Sequence, residues 1–369
     1  MHFFNIDKIE LFFIRIGTPM IALYHLVIGN PFLNMAAEDA QGLEQIANYA
    51  LAPIHYLLEG KKAIPTNDPH EPYHFHRRFE YKEHFFIKSS ASITALPFCL
   101  AVGIPLKALS YLSPATQKRH QDISLSRGKI NVSSNLDKYK AVGLNIGEWE
   151  KGELFEKTKH QRRPQDADVL KDEKERFVKI IQIFKKHKIP FWLDCGTCLG
   201  AYRYGGAIPW DLDIDIAALQ PDFKNVYSAL HELDPAEFTV FDFSGRDKPE
   251  TYIRVRSNKT NFLFDIYFFH IDPEKKIVHT ILSNEFNMFM RETWKAKELK
   301  FTRPMPFERV FPLKKILFEG IEVPIPNKIE EYLQTFYGVN LAPVKIYDAK
   351  TGQYEKDLSH PYWKLPGVY

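Results

Sequence analysis

Hydrophobic residues along the chain follow two periods. In Asp172 to Lys188 (DEKERFVKIIQIFKKHK), Phe177, Ile180, Ile181 and Phe184 fall at i, i+3, i+4 and i+7, one face of a helix. Acids lie early in this stretch and lysines late, as the helix dipole prefers, and Pro190 ends it. Beyond it the period shortens to two. Phe191 to Asp194, Thr239 to Phe243, Tyr252 to Arg256 and Phe262 to Phe269 read as strands, with Phe223 to Leu233 as a helix among them. Phe311 to Pro326 reads as a hairpin and Lys328 to Tyr337 as a last helix ending at Gly338. Helix, strand, turn, strand, helix, strands predicts an α+β fold with a central mixed sheet flanked by helices.

The first part of the chain follows neither pattern as cleanly. Residues 1–125 read as a mainly helical region, with Met35 to Leu58 among its helices. Residues 126–171 are rich in Gly, Ser, Asn and charge, and predict a polar connecting region. The α+β domain then occupies 172–345, followed by an aromatic, proline-containing tail, 346–369, without an assignable element. Two apolar stretches, Leu11 to Leu33 and Ile93 to Leu112, are broken by Arg15, Pro19, His25 and Pro31 and by Pro97, Pro105 and Lys107. Neither is the clean run of about twenty uncharged residues that crosses a bilayer. They read as buried helices, with peripheral or re-entrant membrane contact as the alternative. The N-terminus lacks a basic region followed by a small-residue cleavage site, so a cytoplasmic protein is expected, membrane-associated if either stretch touches lipid.

Composition narrows the class. A chain of 369 residues has room for two domains, and 45% hydrophobic with 26% charged residues is ordinary for globular proteins. A net charge of +3, with no basic cluster interleaved with aromatics, argues against a nucleic-acid partner. Three cysteines, Cys99, Cys195 and Cys198, make no disulfide framework and mildly favour a reducing compartment.

Candidate chemistry concentrates in Phe191 to Ile216, FWLDCGTCLGAYRYGGAIPWDLDIDI. On an extended chain Asp211, Asp213 and Asp215 share one side while Leu212, Ile214 and Ile216 enter a core. Three clustered carboxylates repel one another unless a cation sits among them, and Mg²⁺ or Mn²⁺ takes such oxygen ligands. The competing reading is the solvated face of an edge strand. A turn rich in glycine (Gly196, Gly200, Gly205, Gly206) and Pro209-Trp210 precede the acids, which favours the metal. Asp265 sits within the apolar run Phe262 to Phe269 and needs a partner, either the shared cation or an arginine. Cys195-Gly-Thr-Cys198 has the spacing of a redox pair but lies inside the glycine turn, and reads as small side chains packed there. His70, His74, His76 and His84 read as solvated residues of an extended loop, with a transition metal as the lesser alternative. Arg254 and Arg256 read as a surface ladder, with contact to phosphates the alternative.

The glycine–hydroxyl turn Gly196-Thr197, the paired acids Asp213 and Asp215 and the later Asp265 resemble the nucleotidyltransferase fold. More specifically, Gly196-Thr-Cys-Leu-Gly-Ala-Tyr-Arg203 followed by Gly206-Ala-Ile-Pro-Trp-Asp211 is similar to the LicD family, which includes fukutin and the fukutin-related protein. The resemblance covers about residues 175–345 and does not reach the first 150. The family often carries a further Asp where this chain has Leu212, a departure that leaves the alternating acids intact.

The resemblance implies transfer of a phospho-alcohol group, such as phosphocholine or ribitol phosphate, from a CDP-linked donor to a hydroxyl of a glycan or lipid-linked glycan. Asp213, Asp215 and Asp265 are then the catalytic, metal-holding acids, with Asp211 in support and Asp265 the preferred proton acceptor. Backbone N–H groups from Gly196 to Gly200, with Thr197, would cradle a phosphate, and Arg203 would clamp one or cap the acids structurally. Two further readings stay open. One is a true nucleotidyltransferase acting on a small molecule, RNA or protein; the other is an inactive membrane-associated scaffold.

Overall fold

The structure, a computed structural model, describes residues 31–81, 83–147, 150–151, 167–211, 213–245, 247–281, 298–348 and 350–364. Leu212 and all but the end of the stretch Leu11 to Leu33 lie outside the described residues. The chain divides into two compact units, Met1–Lys129 and Ile130–Tyr369.

The first unit mixes helices with a small sheet. Its elements are β1 (Met35–Ala37), α1 (Leu43–Ala50), α2 (Ala52–Leu57), β2 (Lys61–Pro65), β3 (Tyr73–Arg77), α3 (Phe85–Thr94), α4 (Leu96–Ser110) and α5 (Pro114–Arg127). Strand β1 pairs parallel with β2, and β2 antiparallel with β3. Met35–Ala37 is thus extended where a helix is expected. Pairing with Lys61–Ala63 and complete burial override the helix preference of Met and Ala. His74 and His76 are exposed on one face of β3, and His74 Nδ1 lies 3.1 Å from Glu71 Oε1. The apolar cores are small, Met35, Ala37, Ala63, Tyr73 and Ile123 in one and Leu51, Ile54 and Cys99 in another. The unit also holds a buried polar network. Glu44 on α1 accepts from Lys107 Nζ at 3.2 Å and Arg119 Nη1 at 2.5 Å, and lies 3.2 Å from His120 Nε2. Lys107 also donates to Asn48 Oδ1 at 2.7 Å. Ile93 to Leu112, expected as buried helices, instead leaves several large apolar side chains in solvent. Among the described residues no single helix is long and apolar enough to cross a membrane.

The second unit is built on one large core. Its first elements are α6 (Leu136–Ala141), β4 (Glu150–Lys151), α7 (Ala167–Lys186), β5 (Phe191–Leu193) and α8 (Cys195–Tyr204). They are followed by β6 (Asp213–Leu219), α9 (Phe223–Ala229), β7 (Phe238–Asp242), β8 (Tyr252–Ser257), β9 (Leu263–Asp272), β10 (Ile277–His279) and β11 (Met305–Pro306). The chain ends in β12 (Lys314–Phe318), β13 (Ile321–Ile325), α10 (Ile329–Tyr337), β14 (Lys345–Asp348) and β15 (Gln353–Lys356). Among the described residues the central sheet has seven strands in the order β11-β10-β9-β6-β5, with β8 on β9 and β7 on β8. Only β6 and β9 are parallel, so the sheet is mixed as expected. Helix α7 buries Phe177, Ile180, Ile181 and Phe184, the four residues its period selects, and Phe177 stacks on Phe264 of β9 with ring centroids 6.3 Å apart. The stretch read as a connector contributes to this core: Tyr139 and Leu144 are fully buried, and Tyr139 Oη donates to Asp222 Oδ2 at 2.5 Å.

Candidate active site

The acids meet because of strand register. In the parallel pair β6/β9, Asp215 stands opposite Asp265; in the antiparallel pair β8/β9, Arg254 also stands opposite Asp265. Directly opposed residues project to the same face, and Asp213 joins them two residues from Asp215. One oxygen each from Asp213, Asp215 and Asp265 lies within 4.8 Å of the others, the arrangement a single divalent cation needs. Asp265 and Asp215 are buried and Asp213 partly so.

Charge in this cluster is unevenly compensated. Arg254 donates from Nε and Nη2 to the two oxygens of Asp265, both at 2.8 Å. The guanidinium lies 4.8 Å from the Phe243 ring and 5.5 Å from that of Tyr252, which fixes it in place. Asp265 is therefore paired with an arginine and close to the other acids at once. Among the described residues Asp213 and Asp215 make no ion pair. Burial pushes the Asp215 carboxyl well above its ordinary range, and the charges of Asp213, Asp265, Asp211 and Asp194 push the same way. Asp213 is raised by burial and then by Asp265, against a hydrogen bond with Asp211. Buried carboxylates short of counter-charge, arranged with converging oxygens, are a donor set that fits Mg²⁺ or Mn²⁺.

The segment read as a glycine turn is helix α8, which begins at Cys195 itself. Its N-cap is Asp194, whose Oδ1 accepts from Cys195 N–H at 2.7 Å and from Tyr332 Oη at 2.6 Å. The indole of Trp192 donates to that same Tyr332 hydroxyl at 3.1 Å. Asp194 N–H bonds Asp215 O at 3.0 Å, and Asp215 N–H donates to Thr197 Oγ1 at 2.8 Å. The Thr197 hydroxyl is thus buried and spent on holding Asp215 in register. Glycine is required where backbone meets the acids. A Cβ on Gly196 would stand 2.5 Å from Asp211 Oδ2, and one on Gly200 would stand 2.6 Å from Gly206 O. Arg203, near the end of α8, donates from Nε to Leu341 O and from Nη2 to Ala342 O, each at 2.6 Å. It lines the cleft and anchors the segment after α10. Burial first, and then the negative charge of Asp194, push both Cys195 and Cys198 thiols well up, so neither has the character of a reactive thiolate.

These residues floor a cleft of about 870 Å³. Asp211, Asp213, Asp215, Asp265, Gly196 and Arg203 all line it, with Trp210, Phe243, Tyr252 and Tyr267 as aromatic walls. Lys300 sits at its edge, with Nζ 4.7 Å from the rings of both Phe301 and Tyr337. Residues 337–340 and 360–362 line it as well. Asp194, Tyr332, Lys300 and these C-terminal residues carry no motif, and only Asp194, an acid just before a helix start, has a sequence signal.

A mixed sheet with paired acids on one strand, a third on its parallel neighbour, and a helix N-terminus beside them is the arrangement expected from the nucleotidyltransferase resemblance. Residues 188–328 match the LicD/FKTN/FKRP nucleotidyltransferase domain. An uncharacterised protein of Rickettsia prowazekii is 27% identical over 157 residues, which is 41% of this chain and 50% of that protein. The mouse ribitol-5-phosphate transferase FKTN is 26% identical over 171 residues, 44% of this chain and 32% of the relative. The human ribitol 5-phosphate transferase FKRP is 25% identical over 165 residues, 43% and 30% respectively. The aligned part of the chain thus spans half or less of these relatives' length.

Proposed function

We propose that this domain is a metal-dependent transferase that moves a phospho-alcohol group, phosphocholine- or ribitol-phosphate-like, from a CDP-linked donor to a hydroxyl of a glycan. The observation that carries the reading is the convergence of Asp213, Asp215 and Asp265 in an aromatic-walled cleft. Similarity to relatives named as ribitol-phosphate transferases supports the choice of transferred group. Asp213, Asp215 and Asp265 would hold the ion, with Asp211 beside them. A bound Mg²⁺ or Mn²⁺ would neutralise charge on the donor's pyrophosphate and the departing nucleotide.

The protein's own part is binding and orientation. Gly196 leaves room for the Asp211 carboxylate beside the first turn of α8, whose backbone N–H groups lack helical acceptors and would serve the donor phosphates. Arg203 anchors the segment after α10, and the aromatic side chains offer faces for a base or sugar. Both oxygens of Asp265 already accept from Arg254, so the acceptor hydroxyl's proton goes more readily to Asp211 or Asp213, the less buried acids.

Asp213→Asn and Asp215→Asn should each lower turnover by on the order of 10²-fold or more, the scale of removing one electrostatic stabiliser of the transition state. With chelator at pH 7, Asp215→Asn should raise Tm, because it removes a buried charge held without counter-charge. Mg²⁺ should then stabilise the wild type and not the variant. Full activity in both variants overturns the metal reading. Stabilisation by ATP or UTP but by no CDP-alcohol replaces the proposal with a true nucleotidyltransferase.

A further inference from the structure

We propose that the surface formed by α3 and α4 docks into one leaflet of a phospholipid bilayer, lying along the interface without crossing it. The two helices together have the length and hydropathy of a membrane segment but are bent by 48° at their junction. Their outer side carries Phe86, Ile87, Ile93, Phe98, Leu100 and Leu109, all exposed, with Phe86 at 76% and Ile87 at 70%. Large apolar side chains exposed in this number along one bent helix pair mark an interaction site.

Charge placement identifies lipid as the occupant. From Ser89 to Gln117 the sequence has one charged residue, Lys107. Lys107 is 0% exposed, turned inward onto Glu44 and Asn48 of α1. The outer side of the segment is thereby free of charge over its whole length. Exposed Lys88, in the first turn of α3 just after Phe86 and Ile87, and exposed Lys118 on α5 flank this uncharged stretch and can reach anionic headgroups, and exposed Tyr111 lies near the far end as interfacial aromatics do.

Topology decides between lying and crossing. The strand before the segment, β3, and the helix after it, α5, are joined by Tyr73 N–H to Ser126 Oγ at 3.1 Å. The chain therefore enters and leaves the apolar segment on the same side. At about 1.5 Å per residue, α3 is roughly 15 Å and α4 roughly 22 Å long, each short of a hydrocarbon core of about 30 Å.

The test is flotation of the full chain with vesicles of phosphatidylcholine alone and with added phosphatidylserine. The wild type should float, more completely with the anionic lipid. The variant Ile93→Asn/Phe98→Asn/Leu109→Asn changes only exposed positions and should keep its circular dichroism while the floated fraction falls at least about tenfold. A wild type that stays with the soluble fraction overturns the proposal. So does a variant that floats as well as the wild type, which would place lipid contact elsewhere in the chain. A wild-type dimer that becomes monomeric in the variant, with flotation in neither, assigns the surface to a second copy instead.

Discussion

Asp265 occupies two roles that its sequence left as alternatives: it faces Asp215 across β6/β9 and is held by both prongs of Arg254. The pairing lets a carboxylate sit buried in an apolar strand without its charge going unanswered. The same pairing leaves the deficit of positive charge at Asp213 and Asp215, the place the proposed cation would occupy. Arg254→Gln should therefore destabilise the chelator-treated protein by about 3 kcal/mol, somewhat discounted because the arginine is 27% exposed. Urea denaturation reads this directly. Arg254→Lys should recover part of the loss, since one ammonium cannot make the bidentate contact. Equal stability of all three proteins would show that the pair is incidental. Of these residues, the acids were legible from their alternation and from the apolar setting of Asp265. The partnership of Arg254 with Asp265 was not, because register depends on how three distant strands align.

At the scale of elements, α8 does most to shape the site. Asp194 caps it, Thr197 ties it to β6, and Gly200 lets it pass close to the loop before the acids. The glycines were visible in the sequence but suggested a turn, since Gly196 and Gly200 weaken a helix intrinsically. The helix forms because packing against β6 and Ile208 demands close approach, and only glycine permits it. Gly200→Ala places a methyl carbon 2.6 Å from Gly206 O and 2.8 Å from Ile208 N, backbone atoms that cannot swing aside. The expected cost is about 1–3 kcal/mol, with a proportionate fall in the denaturation midpoint. An unchanged midpoint would mean that α8 has slack and does not fix the acids. Helix α7, by contrast, was readable over most of its length, from Asp172 although it starts at Ala167, because its 3.6-residue stripe faces one continuous core. The strand β1 was hidden: three residues carry no period, and their extension comes from pairing with β2.

At the scale of the molecule, the match to the family model ends at residue 328 while the cleft continues to residues 337–340 and 360–362. The tail looked featureless because its residues carry no motif of their own and line the cleft only through the fold. The first unit differs from the second in how it should respond to acid. Burial raises the Glu44 carboxyl, but the hydrogen bond from His120 and the charges of Lys107 and Arg119 outweigh it, holding the group at about 2 against an ordinary 4.5. His55 is lowered to about 3 from 6.5, by burial first and then by Arg78 and Lys107. Both folded values lie below the unfolded ones, so the unfolded chain takes up protons first as pH falls. The stability these groups contribute is complete above pH 6.5 and is lost stepwise, His55 first and Glu44 below 4.5, down to their folded values. The raised carboxyls of Asp213 and Asp215 act oppositely, so acid relieves strain in the metal-free cleft. Circular dichroism of the full chain should thus show helix loss that starts below about pH 6 and steepens below about 4.5. Glu44→Gln should lower stability at pH 7, since Lys107 loses its buried counter-charge, and flatten the steep lower limb. An acid limb identical in wild type and variant would remove Glu44 from the acid response and return the buried network to a packing role alone.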